Sequence, residues 1–292
     1  MPPDAAMIRE AARQASACAA RFRLPLRTRL WQGAAGEMAG FGTGSSMDFQ
    51  DHRPYFPGDD PRHINWQAYA RTGQYTMKLF REETRPTVDV LFDVTPSMFL
   101  TPAKARRAVE LFHFAVASAQ HCGAGVAVHL LAAGATHFVP LEAIHAADWL
   151  PHLPRATAEF MPAPATVPLR QGGLRILISD LLFPGEPTPW MRALTGRGGA
   201  AIVLAPFAPE EAAPEWSGTC DFIDVETTAR QTRFLDSGTL RRYWAAYTAH
   251  FQTWKDHARR FHLPLAAVPA EGALEAALGT EALAVQAVEP AT

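Results

Sequence analysis

The sequence predicts an open α/β fold, with a mostly parallel sheet covered by helices on both faces. Three observations carry this. From residue 87 onward, apolar runs of strand length interleave with helical stretches, the pattern of a parallel sheet flanked on both sides. The run Thr87-Val88-Asp89-Val90-Leu91-Phe92 is β-branched and apolar, then breaks into Asp93-Val94-Thr95-Pro96-Ser97. A second run, Leu174 to Ile178, breaks in the same way into Ser179-Asp180. Polar residues at the carboxyl ends of strands mark the edge where open α/β sheets bind ligands.

In chain order, apolar residues at Met7, Ala11, Ala15, Cys18 and Phe22 recur in steps of three and four, which predicts an amphipathic helix over 4–22, docked on the main domain. The glycine-rich stretch Gly33 to Ser46 lacks Gly-Lys-Ser/Thr and flanking strand and helix, so it is neither a phosphate loop nor a dinucleotide fingerprint. Pro57-Gly58 reads as a tight turn and Gln74 to Arg81 as a strand. Strands are expected near 87–94, 124–132, 135–141, 174–180, 200–206 and 221–226, with 135–141 forming an edge hairpin. Helices are expected near 101–121, 142–150, 187–196 and 238–260; Thr101-Pro102 supplies an N-cap followed by proline at the first helical position. A late strand, Leu263 to Val268, and a short helix, Gly272 to Leu278, follow. The domains read as 1–86, an N-terminal helix and β-rich extension; 87–280, the α/β domain; and 281–292, a tail.

Composition excludes several classes. The chain has 292 residues, 48% hydrophobic and 19% charged, with 27 basic against 29 acidic residues and a net charge of −2. That balance favours neither nucleic acid nor an anionic membrane. Cys18, Cys122 and Cys220 are far apart and odd in number, as expected of reduced thiols. No apolar run approaches the roughly 18–20 residues of a membrane span, and the N-terminus lacks a signal-peptide core. A cytoplasmic protein, without membrane insertion, is expected.

The two strand ends define the candidate site. If the strands are neighbours, Asp93, Thr95, Ser97 and Asp180 converge. Carboxylate and hydroxyl oxygens suit a hard divalent cation, Mg²⁺ (or Mn²⁺), which keeps several waters and so a position for a partner's oxygen. His113 and His121 are expected to be packing or surface residues. The adjacent carboxylates Asp59 and Asp60 are expected to cap a turn and pair with Arg53, Arg62 or Arg71. Trp66 and Tyr69 are expected in a core.

Asp93-x-Thr95-x-Ser97 with Asp180 resembles the metal-ion-dependent adhesion site of von Willebrand factor A domains, whose motif is Asp-x-Ser-x-Ser, a distant Thr and a distant Asp. By that resemblance the Thr is Thr157, with Thr166 the weaker candidate. The stretch Arg53-Pro54-Tyr55-Phe56-Pro57-Gly58-Asp59-Asp60-Pro61-Arg62-His63-Ile64-Asn65-Trp66, then Ala70-Arg71 and Phe80-Arg81-Glu82-Glu83, resembles the signature of the bacterial family catalogued as domain of unknown function fifty-eight. That signature is Arg-x-Tyr-x-x-Gly-Asp-Asp-x-Arg-x-Ile-Asp-Trp, so Asn65 stands where the family shows Asp. The resemblance covers most of residues 30–280 and makes Arg53, Tyr55, Gly58, Asp59, Asp60, Arg62, Asn65, Trp66 and Arg71 a family block, read as structural.

The resemblance implies a von Willebrand factor A-like, Rossmann-type fold and a role as partner or adaptor of a MoxR-type AAA+ ATPase in assembly or maturation of a client protein. Chemically, two other readings stand beside this non-enzymatic, metal-dependent binding module. One is a metal-dependent hydrolase, against which no histidine or lysine is expected in these loops as a base. The other is a degenerate scaffold without metal.

Overall fold

The computed structural model describes residues 3–26, 47–56, 64–82, 86–132, 134–153, 163–225 and 227–291, and for 47–52 and 78–82 their backbone. The glycine-rich stretch 33–46, the Pro57-Gly58 turn, Gly58, Asp59, Asp60, Arg62 and Thr157 lie outside the described residues. Two compact units divide the chain, Met1–Ala35 with Pro86–Thr292, and Gly36–Arg85.

The larger unit begins with helix α1 (Ala5–Ala19), capped by Asp4, whose Oδ1 accepts from the Met7 amide at 2.7 Å. Its buried stripe is Ile8, Ala11, Ala15 and Cys18, close to the predicted one. The short strand β1 (Phe22–Arg23) follows.

The smaller unit is a hairpin of β2 (Met47–Pro54) and β3 (Thr76–Glu82), with helix α2 (Trp66–Thr72) between them in sequence. Strand β2 was not expected, because Asp48, Gln50, Asp51, His52 and Pro54 are poor strand formers. Its register shifts between Phe49 and Asp51. Asn65 caps α2, its Oδ1 accepting from the Ala68 amide at 3.2 Å. Trp66 corrects the expectation of a core residue. It is 58% exposed, edge-on to Tyr69 and Tyr75, because it occupies the first position of a helix that buries none of its residues. Of the remaining family-block residues described, the Arg53 guanidinium lies over the Phe56 ring, Tyr55 pairs its backbone with Tyr75, and Arg71 sits in the last turn of α2, where a cation suits the helix dipole.

In the larger unit, β4 (Thr87–Asp93) is followed by α3 (Pro102–His121), β5 (Gly125–Ala132), β6 (Ala135–Val139) and α4 (Leu141–His145). Next come β7 (Leu174–Ile178), α5 (Pro187–Thr195), β8 (Ala200–Phe207) and α6 (Pro209–Ala212). The hairpin β9 (Gly218–Ile223) and β10 (Arg230–Leu235) leads into α7 (Ser237–Arg260), β11 (Leu265–Pro269), α8 (Leu274–Ala277) and β12 (Glu289–Pro290). The main sheet has six strands in the order β11-β8-β7-β4-β5-β6, parallel except for the antiparallel edge strand β6. This is the expected mixed α/β architecture.

The period-two geometry of β4 sends Val88, Val90 and Phe92 into one apolar layer and Leu91 into the other. Helix α3 is apolar almost all round: Ala105, Ala108, Val109, Leu111, Phe112, Phe114, Ala115 and Val116 are buried. Such a helix must be covered on its outer side too. Helix α1 is its second cover, and Ser118 of α3 accepts from the Leu24 amide at 2.8 Å. The other face of the sheet packs Trp190 and Met191 of α5 and Trp254 of α7.

The two units group the chain's ends otherwise than the 1–86, 87–280 and 281–292 reading. Helix α1 belongs with the α/β unit because its apolar stripe covers α3, and the expected tail is integral, with Ala287 and Val288 buried and β12 paired with β1. The strand expected near 221–226 is also corrected. It is β9, and it pairs only with β10, in a two-stranded sheet separate from the main one. Its Ile223 is 56% exposed and Phe234 opposite half of the hairpin 71%, which a strand buried on both faces would not permit. No helix among the described residues is long and apolar enough to cross a membrane.

Candidate functional site

Strands β4 and β7 are direct neighbours, with Phe92 opposite Ile178, so the loops leaving them emerge side by side. Asp93 closes β4 on the face shared by Leu91 and is fully buried. A 3₁₀ turn, Pro96–Phe99, follows at once and folds the hydroxyls back. Asp93 Oδ1 accepts from the Thr95 amide at 2.9 Å and from Thr95 Oγ1 at 2.7 Å. Thr95 Oγ1 lies 3.2 Å from Ser97 Oγ. Ser179, the first residue after β7, donates its hydroxyl to Asp93 Oδ2 at 2.6 Å. The structure thus brings together Asp93, Thr95 and Ser97 and ties them to the neighbouring strand end.

Asp180 stands beside them and is 2% exposed. Its Oδ1 accepts from the Leu182 amide at 3.0 Å, and its own amide donates to Met98 Sδ at 3.1 Å. Leu181 adopts φ +60°, a costly left-handed conformation for a branched residue. Three contacts hold it. Its amide donates to Ser179 Oγ at 3.0 Å, its carbonyl accepts from His250 Nε2 at 2.8 Å, and its side chain is buried. A strained strand end held this firmly is the kind found at binding sites.

Sequence reasoning missed two members. Lys104, in the first turn of α3, is fully buried, and its Nζ donates to Asp180 Oδ2 at 2.8 Å and to Glu211 Oε1 at 2.5 Å. Glu211 of α6 also accepts the Ala208 amide on Oε2 at 2.9 Å. Lys104 arrives from the following helix and His250 from α7, distant in sequence, both from outside the loops in which no base was expected. A signal for Lys104 was available. Only three of the 27 basic residues are lysines, and this one sits where a capped helix prefers an acidic side chain.

Burial first, and the charge of Asp180 second, push the Asp93 carboxyl up to about 7, against the hydrogen bonds from Ser179 and Thr95. For Lys104, burial disfavours the ammonium, but Asp180 and Glu211 outweigh it and hold the group above its ordinary value. A lysine so held cannot serve as a general base near neutrality. Two buried carboxyl groups, Asp180 and Glu211, thus share one buried ammonium, while Asp93 is held by the Thr95 and Ser179 hydroxyls.

Among the described residues no group of three or more His, Cys, Asp and Glu is arranged to hold a metal ion. A cation here would rest on hydroxyls. Thr95 and Ser97 offer two oxygens a hydrogen-bond length apart, backed by Asp93, and this donor set fits Mg²⁺. Asp180 fits less well as a direct ligand, since Lys104 and the Leu182 amide occupy its two oxygens. Thr166 is exposed and bonds the Ala163 carbonyl of its own turn.

A family described as "Protein of unknown function DUF58" matches residues 51–253. No curated protein matches the chain. Among solved structures, a conserved hypothetical protein, BatB from Bacteroides thetaiotaomicron, is similar at 14% identity and a TM-score of 0.34, covering 68% of this chain and 98% of that one.

Proposed function

Because the chain belongs to the DUF58 family of proteins of unknown function, we propose a role from the site itself. It is a non-enzymatic, metal-dependent protein-binding module, von Willebrand factor A-like in the use of its carboxyl edge. The observation that carries this is the fully buried Asp93 carboxyl, held by the Thr95 and Ser179 hydroxyls beside that of Ser97, next to a strand end where Asp180 and Glu211 pair with Lys104. Burial and the charge of Asp180 disfavour the ionised form of Asp93, and a cation beside it would supply the counter-charge. Thr95 and Ser97, supported by Asp93, would hold Mg²⁺ (or Mn²⁺), which supplies an open position for a carboxylate oxygen of another protein. The loops on either side carry exposed Leu100 and Leu182, an apolar rim suited to a protein surface.

The partner proposed is a MoxR-type AAA+ ATPase, with an unknown client, in the cytoplasm; this rests on family resemblance. The hydrolase is the weaker reading, since among the described residues the edge offers no free base and no nucleophile poised by one. The Lys104 pairing favours a second reading, a scaffold that works without metal. Co-purification with a MoxR-type AAA+ ATPase tests the proposal. Capture in Mg²⁺ that is lost in EDTA and with Ser97→Ala is the expected result. Capture indifferent to both supports the metal-free scaffold. Turnover of a small phosphoester that requires Mg²⁺, with no partner captured, supports the hydrolase.

A further inference from the structure

We propose that Asp180 and Glu211 form a second cation site, distinct from the Asp93–Thr95–Ser97 cluster, and that its resident cation is the chain's own Lys104 ammonium. The inference deepens the proposed function by dividing the edge into two halves. One half takes an external ion. The other is permanently filled.

The ammonium lies 2.8 Å from Asp180 Oδ2 and 2.5 Å from Glu211 Oε1, and all three side chains are at least nine-tenths buried. Neither carboxylate was placed there for the lysine's convenience alone. Asp180 is also fixed by the Leu182 amide, and Glu211 by the Ala208 amide. Each offers one remaining oxygen to a common point, and Nζ occupies that point. The location of Lys104 is unfavourable on other grounds. It follows the Thr101 cap by three residues, in the first turn of a 20-residue helix, where the helix dipole repels cations. Two carboxylates offset that repulsion. Lys104 also joins three separate elements, the start of α3, the end of β7 and α6. In this arrangement Asp180 is a positioning residue. It shapes the loop after β7 whether or not a metal is present, and it is withdrawn from the ligand set that a divalent ion would use.

The decisive experiment removes the ammonium. Lys104→Ser is made in a Ser97→Ala background, so that the hydroxyl cluster cannot account for any new binding. Without metal the double variant should melt well below Ser97→Ala alone. Mn²⁺ should then raise its Tm by about 5 °C or more, as a ligand that binds only the folded state does, while leaving Ser97→Ala unmoved. A double variant that melts like its parent, or that Mn²⁺ does not stabilise, overturns the proposal. If the double variant does not fold even with Mn²⁺, the wild-type protein decides. With only three lysines in the chain, ¹⁵N-lysine spectra resolve the Lys104 ammonium. It should show slowly exchanging protons that stay slow in EDTA and in Mg²⁺. Exchange as fast as an exposed ammonium, in EDTA or in Mg²⁺, overturns the proposal. These results separate from the first reading: wild-type Mg²⁺ binding abolished by Ser97→Ala tests the hydroxyl cluster whatever Lys104 does.

Discussion

Asp93 and His113 are both buried ionisable groups, and each shapes pH dependence by a different route. His113 sits against Phe112 and Trp149, and its Nε2 accepts from the Trp149 indole N–H at 3.2 Å. Burial lowers it from 6.5 to about 4. The unfolded chain therefore binds one more proton than the folded one between those values. The contribution of a neutral His113 is fully present above pH 6.5 and lost as pH falls towards 4, about 3 kcal/mol in all. His113→Gln keeps an acceptor for Trp149 without titrating. The variant should lose less stability than wild type between pH 6.5 and 4 in denaturant melts; parallel losses would contradict the assignment. The comparison is one of differences, so the titration of Asp93, which acts with opposite sign, cancels.

At the scale of elements, end positions matter most. Asn65 stands where the family shows Asp, yet the structure makes the replacement intelligible: either side chain can accept the Ala68 amide as an N-cap. Asn65→Ala should cost about 1 kcal/mol, and Asn65→Asp should change stability by a few tenths, measured by chemical denaturation. The carboxyl end of α5 is closed differently. Buried Arg175 of β7 donates through Nη1 to the carbonyls of Ala193, Leu194 and Gly196, a cation at a helix C-terminus. Gly199 must leave room for it, since a Cβ there would lie 2.5 Å from the Arg175 Cζ. Gly199→Ala should lower Tm by several degrees through displacement of the guanidinium. An unchanged Tm would mean that Arg175 moves without cost.

The main-sheet strands and most helices could be read from the chain, because long apolar runs and 3.6-residue periodicity are local signals. That Asp93, Thr95 and Ser97 meet beside Asp180 could be read too, because they lie at or just past the ends of neighbouring strands. What could not be read depends on contacts far apart in sequence. Lys104 meets Glu211 across 107 positions, His250 meets Leu181 across 69, and β2 is a strand only because β3 pairs with it. Exposure of Trp66 was likewise invisible, since an aromatic residue reads as core until its helix is seen to bury nothing.

At the scale of the molecule, the α/β unit is a sheet with unequal covers. On one side α3 is sandwiched between the sheet and α1, and residues 287 and 288 close the same layer. Removing residues 1–19 would uncover the outer face of α3. The shortened chain should show exposed apolar surface by dye binding and a much lower Tm; a shortened chain as stable as the full one would mean that α1 is an addition and not part of the core. The carboxyl edge stands apart from this packing. Its loops carry strain, unbalanced charge and exposed leucines, the marks of a surface that meets something else.

That something is, on this account, a divalent cation and the carboxylate of a partner. Titration calorimetry with Mn²⁺ tests it most directly, on the wild-type protein and on Ser97→Ala, which changes one hydroxyl at the edge. The account predicts one site per chain in wild type and at least about a tenfold loss of affinity in the variant, since a ligand oxygen is removed. Equal heats from the two proteins, or none from either, would contradict it.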